Sequence, residues 1–145
     1  MKNVEALSGV SRRASLGLAR IVVAFAGVFY VATAIALLFT PFWFFQTVGN
    51  FGPFNQHYEG DIGAFQLALG LGLLVAAYRP SQHSLLIWVG AVGSLFHAGN
   101  HLYTDLVEQP SVAHLFNTTI PLFLFAALLL WAAVSSTIEQ RRQIH

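Results

Sequence analysis

The sequence predicts an all-α fold: an integral membrane four-helix bundle, one domain over residues 1–145, with both termini cytoplasmic. Three observations predict it. First, the chain is 56% hydrophobic and only 9% charged, with a mean hydropathy of +0.64. A soluble domain carries about 25% charged residues. One of this size has no interior large enough for so much apolar side chain, so lipid is the expected solvent. Second, four runs without Asp, Glu, Lys or Arg lie at 21–39, 62–78, 84–103 and 112–134. Each has roughly the 20 residues that a helix needs to cross a bilayer. Third, all 7 basic residues are sorted. Lys2, Arg12, Arg13, Arg20, Arg79, Arg141 and Arg142 fall on segments that a four-span path puts on one side. By the positive-inside rule that side is the cytoplasm, and the expected location is the cell membrane, multi-pass.

The net charge of +1 argues against a nucleic-acid partner. The absence of cysteine removes disulfides, thiolate metal sites and cysteine nucleophiles. The expected partners are the bilayer itself and either a larger membrane complex or further copies of the chain.

The first span needs one check. "SRRASLGLARIVVAFAG" has the look of a twin-arginine signal, with "ATA" at 32–34 as its cleavage site. Arg20, however, separates the arginine pair from the apolar run. That run continues past Ala34 to Phe39, longer than a signal core, so an uncleaved helix is expected. Arg20 itself should snorkel to the cytoplasmic headgroups.

The span ends at Thr40-Pro41 and leads into a long outer loop. This loop carries Phe39, Phe42, Trp43, Phe44, Phe45, Phe51, Phe54 and Tyr58. Aromatic rings suit the headgroup region. The segment is therefore expected either to lie on the interface, with a short helix after Pro41, or to form a lid over a pocket.

Asp61 is a natural N-cap for the second span. Gln66 suits an interhelical hydrogen bond. Gly60, Gly63, Gly70, Gly72, Gly90, Gly93 and Gly99 are expected to let backbones approach closely. Pro80 and Pro110 mark short connections between antiparallel neighbours. Pro121 is a candidate kink inside the fourth span.

The polar residues at the outer end are the candidate site. His97, His101 and Asp105 are spaced i, i+4, i+8, so on a helix they form one slowly drifting stripe. His97 lies about 12 Å below Asp105 at a rise of about 1.5 Å per residue. His57 and Asp61 repeat the i, i+4 spacing at the entry to the second span, with Glu59 between them. His114 and Asn117 stand at the entry to the fourth. His83 and His145 fall on the cytoplasmic side and are expected at the surface. Asn117 also begins an Asn-x-Thr sequon, discounted because it lies in a span.

Ionisable groups at membrane depth face the bundle interior or a wet cavity, so the stripe should point inward. Several chemistries fit it. His57, Asp61, His97, His101, Asp105 and His114 are the right types to bind a divalent transition metal such as Zn, Cu or Fe. A buried histidine, His97 or His101, is also the type that ligates a haem-like macrocycle. The same groups can hand on protons, or can simply hydrogen-bond across helices. The corresponding functions are a metal- or cofactor-binding membrane protein, with redox as one role, or a non-catalytic subunit of a larger complex.

Two stretches carry a resemblance: "PFNQHYEGDIGAFQLALGLGLLVA" at 53–76 and "GSLFHAGNHLYTD" at 93–105. In these, and in its order of features, the chain resembles small four-helix membrane proteins of bacteria, the DoxX-like group. The resemblance implies a four-helix bundle and an accessory role in membrane redox chemistry. It carries no residue roles onto this chain, and the missing cysteines disfavour a thiol-based one.

Overall fold

The computed structural model describes residues 2–49, 52–108 and 110–144, with side chains from Ala14 onward. Phe51, His145 and the side chains of Lys2, Arg12 and Arg13 lie outside the described residues. The chain forms α1 (Lys2–Phe39), α2 (Pro41–Thr47), α3 (Gln56–Tyr78), α4 (Ser84–Tyr103), α5 (Val112–His114) and α6 (Ile120–Ile144). A π-helical turn, Thr104–Glu108, continues α4, and a second, Leu115–Thr119, joins α5 to α6. No strand occurs among the described residues. Four stretches are long and apolar enough to cross a membrane: Ala14–Phe39, Gln56–Tyr78, Ser84–Glu108 and Val112–Ile144.

The second and fourth spans run beyond their expected boundaries. The second span begins at Gln56, not at 62, because Asn55 caps it. The Asn55 side-chain oxygen accepts the backbone N–H of His57 at 3.1 Å and of Tyr58 at 3.2 Å. Those are donors that a helix start leaves orphaned. Asp61 therefore sits inside the helix and is not its cap. The fourth span runs on to Ile144. Pro121 stands in the first turn of α6 and does not kink its middle. Lacking an N–H, it cannot donate to the Asn117 carbonyl, and the π turn lies immediately before it.

Packing follows from small residues. The core holds Ala19, Ala26, Ala76, Ala91, Ala132 and Ala133 around Val23, Leu73, Ile87 and Leu129. α1 packs along α3, α4 along α6, and α1 against α6 joins the two pairs. α1 and α3 come close at Gly70. A Cβ there would stand 2.8 Å from the Val31 backbone nitrogen and 3.0 Å from the Gly27 carbonyl. Gly90 is closed in the same way by Leu73 at 2.8 Å, and Gly63 by Leu38 at 2.9 Å. The expected glycine packing thus holds at Gly63, Gly70 and Gly90, whereas Gly60 and Gly99 have no such neighbour within 4 Å.

Polar contacts stitch the α1–α3 and α4–α6 pairs and add a link between α1 and α4. Thr33 donates to Gln66 across α1 and α3. Tyr30 and Ser94 share a hydrogen bond of 2.7 Å between α1 and α4. Trp88 donates to Thr137 at 3.0 Å and Ser84 to Gln140 at 2.6 Å, between α4 and α6. Arg20 donates to the Tyr78 carbonyl at 2.6 Å, which satisfies an orphan acceptor at the end of α3.

The outward face is the reverse of the core: Phe25, Phe65, Leu85 and Leu124 are among the large apolar side chains left exposed. Surface of that kind suits lipid contact. The aromatic segment includes a short helix after Pro41, as the interfacial reading expected. Phe54 packs edge-on against Phe42 and Phe45, with ring centres 5.2 and 5.5 Å away. α2 rests on α1 and α3, whereas the closely packed histidines lie on α4 and in α5, so this contact gives the lid reading no support.

The Gly70 contact yields a test. Gly70→Leu must force α1 and α3 apart, so it should lower stability in detergent more than Leu73→Ala does. The cavity left by the latter costs about 2–5 kcal/mol. Gly60→Ala should be neutral or slightly stabilising in the same thermal melts, because the helix interior favours alanine.

Candidate functional site

The π turns build the end of the bundle remote from Arg20 and Arg79. Asp105 lies in the turn Thr104–Glu108 and is buried, 5% exposed. The chain then doubles back through Ser111. Its backbone N–H donates to the Asp105 carbonyl at 3.3 Å, and its hydroxyl accepts from the His114 N–H at 3.2 Å. One serine thus fixes the backbones of both residues.

Asp105 uses both carboxylate oxygens. Oδ1 stands 2.6 Å from His114 Nδ1, and Oδ2 accepts the Thr119 hydroxyl at 2.5 Å. A carboxylate only accepts, so His114 carries its proton on Nδ1 and turns the Nε2 lone pair away from Asp105. The tautomer follows from this contact, not from a located hydrogen. Thr119 is fully buried.

His114 and Thr119 are five residues apart. On an α-helix of about 100° per residue they would point roughly 140° away from each other. The wider winding of the π turn between them brings both onto one carboxylate. Sequence reasoning missed Thr119 for that reason. The available signal was Pro121, which disturbs the preceding turn.

Two more rings extend the cluster. His101 stacks on His114, with centroids 5.4 Å apart and planes at 17°. His97 stands edge-on to His101 at 4.7 Å and 82°. From Asp105 the sequence of contacts is carboxylate, His114, His101, His97. It runs from the π turn through His114 of α5 to His101 and His97 on α4, and His97 is exposed on the flank of the helix and does not point inward as the stripe was expected to.

The remaining candidates lie elsewhere. His57 and Asp61 form their own pair, 3.6 Å apart, with side chains 90% and 61% exposed. They are solvated partners on one helix face and not an inward stripe. Glu59 is buried in the first turn of α3, where the helix dipole favours an acid. Asn117 is exposed, and Glu108 accepts from Thr104 at 3.3 Å.

No family model, curated protein or solved structure matches this chain. Roles therefore rest on the geometry alone.

A metal ion needs ligand atoms that converge. Among the described residues, no group of three or more His, Asp or Glu side chains is placed to hold one. Asp105 already holds His114 on one oxygen and Thr119 on the other, so it suits the orienting role behind a histidine better than direct ligation. A macrocycle needs a histidine beside a broad cavity. The groove at Leu95, Phe96, Gly99 and Asn100 contains none. What the cluster can do as it stands is acid–base chemistry: a carboxylate-held imidazole whose Nε2 takes up a proton, with Asp105 stabilising the resulting charge.

The triad predicts a hierarchy of stabilities. Thr119→Val leaves a buried carboxylate oxygen without its donor and should lower the unfolding temperature by several degrees. Thr119→Ser should restore most of it. Asn117→Ala and His57→Ala, both exposed, should leave the melt unchanged.

Proposed function

We propose that this is a multi-pass cell-membrane protein whose outer end carries an acid–base site. His114 is the base, Asp105 its orienting partner, Thr119 the second anchor of the carboxylate, and His101 and His97 the groups that continue the row into the membrane. The site serves a small ligand that exchanges a proton as it binds. The observation that carries this reading is the 2.6 Å contact of the buried Asp105 carboxylate with His114 Nδ1. Below the row, the fully buried Val23, Leu73, Ile87 and Leu129 fill the bundle. That favours a site open to one side over a path through the membrane.

The orientation is part of the proposal. Arg20 lies beside the Tyr78 carbonyl, and Ser81 donates to Gln143 at 3.4 Å, so Arg20, Arg79, Arg141 and Arg142 gather at one end. The positive-inside rule assigns that end to the cytoplasm and the histidines to the outer face. The likeness to DoxX-like proteins fits this architecture and adds no residue roles.

A second reading has one observation in its favour. A metal-binding histidine almost always donates its other N–H to a carboxylate or carbonyl, as His114 does. In that reading Zn, Cu or Fe would bind at His114 Nε2, with His101 brought in beside it.

Carbethoxylation of histidines, followed by peptide mass mapping, separates the readings. An activated imidazole should make His114 react faster than the exposed His57, and Asp105→Asn should slow His114 several-fold while leaving His57 and His83 alone. If His114 reacts no faster than His57, and Asp105→Asn lowers only the melting temperature, the network is structural glue in an accessory subunit. One metal atom per chain in elemental analysis, lost in His114→Ala, would make the second reading the right one. The topology has its own check. Reporter fusions in the 79–83 loop should read cytoplasmic and those at Asn55 external, and a cytoplasmic signal at Asn55 would overturn the orientation.

A further inference from the structure

The glycines of this bundle fall into two groups. Gly27, Gly63, Gly70 and Gly90 are filled by neighbouring helices, each with an atom within 3.0 Å of where a Cβ would stand. Gly99 in α4 has nothing within 4 Å. It forms the floor of a groove of about 450 Å³ whose other walls are Leu95, Phe96 and Asn100. At about 100° per residue, these residues centre roughly 140° around α4 from the buried Ala91, Ser94 and Ala98. The groove therefore faces lipid.

Asn100 is the second and independent observation. Its side chain is exposed, and among the described residues it makes no hydrogen bond. It lies about 24 Å from Ser84 along the helix axis, inside the roughly 30 Å hydrocarbon thickness. A carboxamide facing hydrocarbon has lost water without gaining a partner, which is unfavourable. Lipid tails cannot supply the missing bonds.

We propose that this face of α4 pairs two copies of the chain across a two-fold axis. Self-association is favoured because the patch carries both halves of a complementary contact. A carboxamide donates and accepts, so Asn100 is satisfied by Asn100 of another copy. Phe96, 76% exposed, stands beside the groove as a ridge, and the open floor at Gly99 is the space that such a ridge fills. An isologous dimer needs one patch that complements itself. Small residues and interhelical amide bonds are what drive helix association in lipid.

The chain has no cysteine, so single-cysteine variants of the full-length protein report one position each. Tyr103→Cys lies one turn outward on the same face and should form a disulfide dimer in native membranes under mild diamide oxidation. Leu124→Cys on the exposed face of α6 should not. In mild detergent, light scattering of the wild type should give twice the 15.8 kDa chain mass. Asn100→Leu and Gly99→Leu should each give a single chain mass. Both should keep the wild-type helix signal, because neither position packs inside the protomer. A wild type of single-chain mass, or leucine variants that stay dimeric, would overturn the proposal. So would capture at Tyr103→Cys only by a different protein or a lipid probe.

Discussion

Hydrocarbon offers no hydrogen bonds, and the arrangement of this chain depends on that one fact. Every backbone group inside the bilayer must be satisfied within the protein, which is why the spanning elements are helices. The same demand falls on polar side chains, and several answer it in pairs. Thr33 finds Gln66, Tyr30 finds Ser94, Trp88 finds Thr137, and Ser84 finds Gln140. Each pair joins two helices, so satisfying a polar group and fixing the bundle are one event. Arg20 extends the rule to the boundary, where its guanidinium takes up a carbonyl that the end of α3 leaves orphaned.

Lipid also removes the usual force for packing. Its tails are as apolar as leucine, so burying leucine against leucine gains little in this solvent. Close contact between backbones takes its place, and that requires small side chains. Alanine and glycine at Ala26, Gly27, Gly70 and Ala76 let α1 and α3 approach until main-chain atoms meet. Large residues go outward to the acyl chains. This inverts the pattern of a soluble bundle, in which α1 would show its phenylalanines to the core.

Much of this was legible in the sequence. Apolar run length found the four spans, because span length is set by the bilayer and not by local propensity. Their ends were less legible. Asn55 outcompeted Asp61 as a cap since it reaches two orphan N–H groups six residues earlier. Within the site, the stripe arithmetic put His97 beside His101 on α4, where their rings meet, whereas Asp105 lies in the π turn that follows. It could not see that His114 and Thr119 close on Asp105, because that arithmetic assumes α winding throughout. Nor could spacing alone show that His57 and Asp61 would satisfy each other on an exposed face.

The two π turns sit on either side of the cluster. A π turn has weaker backbone geometry than an α turn and persists where something local compensates. In the fourth span Pro121 removes the N–H that would have bonded Asn117, so the α register is already broken there. Widening that turn sets Thr119 on the same side as His114, and their two bonds to Asp105 offset the poorer winding. Ser111 holds the connection in the same register from the other strand of the loop. The distortion and the carboxylate network are therefore mutually dependent. The backbone departs from regular helix where Asp105 requires two donors, and Asp105 keeps both oxygens satisfied at the edge of the hydrocarbon because the backbone departs there. An imidazole held this way has its Nδ1 committed to the carboxylate and its ring stacked on His101. That carboxylate–imidazole contact, more than the number of histidines, sets this end of the bundle apart from the stitching pairs elsewhere in the chain.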